Sequence, residues 1–270
     1  MALDNPAYSR NPAFSSQGAV AAAQDVSAQQ LQEMYNQPAT PPAGETMTVE
    51  TTLQKAAVSF GLLVVGAALG WVTTESLPFL WIGAGIVGFV LALVNIFKKE
   101  PSPGLVLAYA GVQGIFVGGI SAWYETAFGG GIVAQAVIAT LVVVGVTLAL
   151  FASGKIRASK KATKIFLIAM VGYAVFSLVN LGMMLFGATD NAFGLRSIEI
   201  MGIPLGLILG VLVVIMAAYS LVLDFDFIQQ GVRNRAPKKY EWTGVFGIMV
   251  TVIWLYLEIL RMLAIAQSSD

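Results

Sequence analysis

PLGLILGVLVVIMAAYSLVL, residues 204–223, runs without a charge and then meets Asp-Phe-Asp-Phe-Ile at 224–228. A bilayer core roughly 30 Å thick needs about 20 apolar residues of helix. This stretch therefore reads as a membrane span that ends on two carboxylates. Six other stretches of similar length and composition precede or follow it, near 56–73, 78–97, 104–123, 131–153, 165–186 and 243–266. Pro78, Pro103 and Pro204 stand at or just before starts, where a missing N–H costs least. The fold class expected is an all-α membrane protein, a seven-transmembrane-helix bundle.

Composition agrees. Apolar residues make up 57% of the chain and charged residues 11%, with a mean hydropathy of +0.78. Soluble domains sit near half apolar and a quarter charged, so this outer surface is built to meet lipid. A formal net charge of zero gives no electrostatic case for nucleic-acid binding. The absence of Cys excludes thiolate chemistry, iron–sulfur ligation and disulfides, and the absence of His removes the commonest metal ligand. No cofactor is implied. Any pH response near neutrality must then come from a carboxylate in an unusual setting.

The first 54 residues are rich in Pro, Gln, Ser and Ala, with Asp4, Asp25, Glu33, Glu45 and Glu50 against Arg10. Such a segment buries too little apolar surface to offset its ordering entropy, and it lacks the basic start and apolar run of a signal peptide. The expected organisation is a disordered tail over 1–54, a transmembrane domain over 55–267 and a short end at 268–270. A small duplication, Asn5-Pro-Ala-Tyr-Ser and Asn11-Pro-Ala-Phe-Ser, reads as a turn-prone tail or as a docking motif for another membrane protein.

Loop charge sets the expected orientation. Loops two–three, four–five and six–seven carry Lys98, Lys99, Lys155, Arg157, Lys160, Lys161, Lys164, Arg233, Arg235, Lys238 and Lys239. The opposite loops carry Arg196 alone, beside Glu75, Glu125, Asp190 and Glu199. Under the positive-inside rule the N-terminus is cytoplasmic and the C-terminus lies across the membrane. With no organelle address visible, a bacterial cell membrane is the expected location.

Glycines recur at four-residue spacing: Gly66 and Gly70, Gly114 and Gly118, and Gly202, Gly206 and Gly210. Small residues so spaced let helix backbones approach closely. Gly83-Ala-Gly85-Ile-Val-Gly88 matches a dinucleotide fingerprint, but that fingerprint needs a preceding strand, and here it lies inside a lipid-length apolar run.

Ionisable residues in spans are costly and are functional suspects by default. Asp224 and Asp226 close the sixth span, Glu258 and Arg261 lie in the seventh, and Glu241 marks its entrance. Two residues apart on a helix is about 200° of rotation, so Asp224 and Asp226 cannot both face one interior site. Glu258 and Arg261 are i, i+3 neighbours, for which a local ion pair is the plain account. Asp224 has nothing basic within one turn; the plain account of it is an interfacial residue capped by Arg233 or Arg235. Glu258 lies some fifteen residues into an antiparallel helix, roughly 22 Å from that end. A partner level with Asp224 should come instead from early helix seven, between Glu241 and Thr251.

The C-terminal third resembles the Bax inhibitor-1 family (transmembrane Bax-inhibitor-motif proteins), seven-helix membrane proteins of which several are linked to pH-responsive calcium leak. Their pattern is an Asp with an Ile four residues later at the end of helix six, a short basic loop, then Leu-Tyr-Leu-Asp and further on Leu-Leu-Arg. Asp224 and Ile228 match the first element, and Leu260-Arg261-Met262-Leu263 resembles the last. Matching Leu-Tyr-Leu puts Glu258 in place of the second family Asp; matching Leu-Arg puts Thr251 there. Depth favours Thr251, which leaves the latch carried over from the family incomplete unless Asp226 or Glu241 substitutes.

The resemblance implies a cation leak, for calcium, gated by protonation near Asp224. Two adjacent carboxylates cannot both ionise readily, and hard cations prefer the oxygen ligands that Asp224 and Asp226 offer. The rival reading is a non-conducting regulatory protein that binds a membrane protease or another membrane partner. Enzymatic classes are set aside. No span has an internal Lys for a retinal Schiff base, no His is present for a metalloprotease, and helix seven has no Asp for an aspartyl protease.

Overall fold

The computed structural model describes residues 45–189 and 191–268. Seven helices follow one another: α1 (Val49–Thr73), α2 (Leu80–Phe97), α3 (Pro103–Phe128), α4 (Ile132–Ala152), α5 (Lys160–Leu185), α6 (Leu205–Arg233) and α7 (Glu241–Ser268). Each is long and apolar enough to cross a membrane. The outer faces expose Val64, Phe89, Leu141 and Leu178. Apolar side chains in that number are stable only against lipid. The protein is a multi-pass membrane protein.

Helix α1 opens at Val49, seven residues ahead of the apolar run at Ala56. The Thr48 hydroxyl accepts the Thr51 N–H at 3.1 Å, an N-cap that starts the helix before the hydropathy does. Residues 49–54, expected in the tail, are thus its first turns. The earlier part of the expected tail, with the duplicated Asn-Pro-Ala motif, lies outside the described residues. At the other end α7 runs on to Ser268.

The centre of the bundle is α7, which packs against α6, α1, α4 and α3. Its Val245, Met249, Leu255, Leu260 and Ala264 have no exposed surface. Helix α2 is held chiefly by α3, with Gly85 and Gly88 of the rejected fingerprint facing Phe116 and Gln113.

Helices α1 and α3 touch backbone to backbone. A Cβ on Gly66 or Gly70 would overlap the carbonyl oxygens of Gly111 and Ile115, and one on Gly114 or Gly118 those of Leu63 and Ala67. Backbone cannot swing aside as a side chain can, so Gly118→Ala should cost about 1–3 kcal/mol. The check is a denaturant titration in detergent against Gly83→Ala, where open space surrounds the site and no loss is expected. Gly206 and Gly210 admit Ile265 and Met262 of α7. Gly202 does not belong to that row. It sits at φ +80° beside Met201 at φ 56°, turning the hairpin of β1 (Glu199–Ile200) and β2 (Ile203–Pro204).

Helix α5 stands apart, burying Asn180 alone. Polar tethers hold it at successive heights. Tyr219 of α6 meets Thr163 at 2.9 Å, and Asn180 accepts the Leu195 N–H at 2.6 Å. That second bond pins the 3-10 turn Gly194–Ser197, ahead of the hairpin, against the bundle.

Candidate functional site

Helices α6 and α7 lie antiparallel in a regular register. Ile228 meets Gly244, Asp224 meets Gly247, Gly210 meets Met262 and Gly206 meets Ile265. Two groups of polar side chains interrupt this otherwise apolar seam.

The first centres on Asp224. Thr251 Oγ1 donates to Asp224 Oδ2 at 2.8 Å, and the Ser220 and Thr251 hydroxyls are 3.2 Å apart. Thr251 has one proton to give; with Asp224 ionised that proton goes to the carboxylate and Ser220 donates to Thr251. Were Asp224 protonated, the same chain could run in reverse. Asp224 forms part of the wall of a cavity of about 500 Å³, whose other walls include Asn95, Lys98, Lys99, Phe227, Trp242 and Gly247. The cavity lies at the end of the bundle that carries the basic loops. Gly247 has no side chain to fill it: a Cβ there would stand 2.5 Å from Asp224 Oδ1. Further along the seam, Val213, Ala217, Leu221 and Leu255 are buried.

None of the proposed substitutes reaches Asp224. Asp226 accepts from Gln230 one turn along its own helix, at 2.5 Å. Arg233 donates to Gln229 at 3.0 Å, and neither Arg233 nor Arg235 forms an ion pair among the described residues. The interfacial cap expected from those arginines is not formed among the described residues: Arg233, the last residue of α6, is engaged by Gln229 on its own helix. Glu258 belongs to a separate group. Nor do three or more acidic side chains converge anywhere among the described residues.

Glu241 is wholly buried and committed elsewhere. Its Oε1 accepts the Thr48 N–H at 3.0 Å and the Thr51 hydroxyl, and Lys55 Nζ lies 2.6 Å from Oε2. Glu241 thereby joins the start of α7 to the start of α1. Just outside, the Lys238 ammonium bonds Glu45 and holds its carboxyl below the usual carboxylate range. Lys239 does the same for Glu100. Both pairs are intact at neutral pH and weaken only as pH falls through those lowered values; exposed as they are, they add little stability.

The second group is the buried cluster around Glu258. Arg196 Nη1 donates to Glu258 Oε1 at 3.1 Å. Arg261 Nη1 and the Tyr173 hydroxyl donate to Oε2, each at 2.6 Å. The Tyr173 oxygen accepts in turn from Arg196 and Arg261, and Arg196 also reaches Ser177. The i, i+3 pair is present, but with a second arginine that the sequence presents as a loop charge. Arg196 is only 4% exposed, because the turn held by Asn180 folds it inward. A lone arginine in a loop otherwise rich in acids was the one available signal. The cluster carries two positive charges and one negative.

A comparison with curated proteins found no match. A family model described as Bax inhibitor 1 like covers residues 5–268, nearly the whole chain, and the chain belongs to that family.

Proposed function

We propose that the protein is a calcium-permeable cation leak of the cell membrane, gated where Asp224 meets Thr251, with its N-terminus cytoplasmic. The observation that carries this reading is one carboxylate in the wall of a cavity at the end of the bundle with the basic loops, backed by an apolar seam. A cation entering the cavity meets the oxygens of Asp224 and the hydroxyl of Thr251, the ligand type that hard cations prefer. Among the described residues Asp224 stands without a converging set of acids, which fits an ion in transit. Protonation of Asp224 removes the attracting charge and reverses the hydroxyl chain to Ser220, which biases the packing of α6 against α7.

In proteoliposomes, Asp224→Asn should lower calcium flux and flatten its dependence on pH. A wild-type profile from that variant rules Asp224 out as the gate. The closed seam equally favours a second reading, a non-conducting regulator that acts through residues 1–44 on a membrane protease or other membrane partner. Deleting 1–44 separates the two. Lost partner binding with flux retained marks a conducting bundle with an adaptor tail; no flux from either form favours the regulator.

A further inference from the structure

The segment just ahead of α1 is fastened to the turn between α6 and α7. Thr46 bridges Pro237 as an antiparallel pair. The Met47 N–H donates to the Ala236 carbonyl at 2.8 Å, and the Lys238 N–H donates to that of Glu45 at 2.8 Å. Met47 is 2% exposed and occupies the space that Gly231 leaves: a Cβ on that glycine would come within 2.7 Å of the Met47 sulfur. One turn on, Glu241 collects the Thr48 and Thr51 donors and Lys55. The Lys55 ammonium also lies 5.1 Å over the Trp242 ring. Tyr240 of the turn, with Trp242, Thr243 and Gly244 after it, forms one side of the Asp224 cavity. The chain ahead of α1 is thus bonded directly to the turn that shapes that wall.

We propose that residues 45–51 are a clasp that holds the α6–α7 turn closed over the Asp224 cavity, so that a load on the preceding chain is passed to the Asp224–Thr251 seam. A surface tether would not bury a methionine in a glycine notch, nor give the whole of a buried carboxylate to a neighbouring helix start. Both features make release an all-or-none event rather than gradual fraying. As a control over conduction the clasp rests on the cation-leak reading above; as a mechanical element it does not.

The protein has no Cys, so engineered thiols are unambiguous. Residues opposite one another in an antiparallel pair stand about 4.5–5.5 Å apart at Cα, within disulfide range. The Thr46→Cys, Pro237→Cys double variant should therefore lock the clasp on oxidation. The expected result is a severalfold lower calcium flux in proteoliposomes, restored by reductant. Met47→Ser should act oppositely. For a readout that needs no conduction, Leu223→Cys in the cavity wall reports access through its labelling rate with a water-soluble thiol reagent. Labelling should rise severalfold when Met47→Ser is added. Equal labelling with and without Met47→Ser overturns the clasp, as does a locked protein that conducts like the reduced one. Faster labelling without flux in any form upholds the clasp and removes the leak.

Discussion

Glu258→Gln is expected to cost about 3–5 kcal/mol of stability, the usual result of removing one partner from a buried ion pair. Both carboxylate oxygens are in use: Arg196 takes one, and Arg261 and Tyr173 share the other. Glutamine offers one acceptor, and its amide turns two donors toward a guanidinium. Two positive charges are then left with no counter-charge. The first structure to loosen should be α5 and the 194–204 turn, because α5 buries little and depends on Tyr173, Ser177 and Asn180 for its hold. The measurement is the midpoint of thermal unfolding in detergent, with hydrogen exchange on the α5 peptides. Arg196→Gln should be milder, since Glu258 keeps Arg261 at 2.6 Å. Adding Arg196→Gln to Glu258→Gln should recover part of the loss. A Glu258→Gln protein that melts with the wild type would show the cluster to be solvated and structurally idle.

The span count and helix type were legible because length and hydropathy suffice for them in a bilayer. The start of α1 was not, since a polar cap and the pairing of half-buried Lys55 with buried Glu241 set it rather than apolar run length. The separation of Asp224 from Glu258 was legible from helical rise alone. What rise and period cannot supply is the path of an irregular loop. Arg196 reads as a surface charge until Gly194, at φ +59°, and the Asn180 clamp turn the chain back into the bundle. Glu241 likewise reads as a solvated entrance residue. Its burial needs the chain before α1 to fold over it, a contact across 193 residues of sequence that no local pattern announces.

Thr251→Asp should make the α6–α7 seam respond to pH far more steeply than the native Asp224–Thr251 contact would. Thr251 donates to ionised Asp224 at 2.8 Å and can accept from it when protonated, so the native contact keeps a hydrogen bond in either state and protonation only reverses its direction, a mild bias on the packing. Two aspartates have no donor between them unless one carries a proton. With both ionised about 4 Å apart, they repel by about 4 kcal/mol at an effective dielectric of about 20. With one proton shared, they bond more strongly than the native pair. The variant is therefore held closed in acid and driven apart toward alkaline pH. If a third of that repulsion reaches the opening equilibrium, flux changes about tenfold across the transition. Thr251→Val is the control. It keeps the shape, loses the bond to Ser220 and the one to the carboxylate, the latter about 1.5–3 kcal/mol, and should shift flux without steepening its pH profile. The measurement is calcium efflux from proteoliposomes at matched protein density, from acid to mildly alkaline buffer. Superimposed wild-type and Thr251→Asp profiles would mean that α6 and α7 do not part at this contact during conduction.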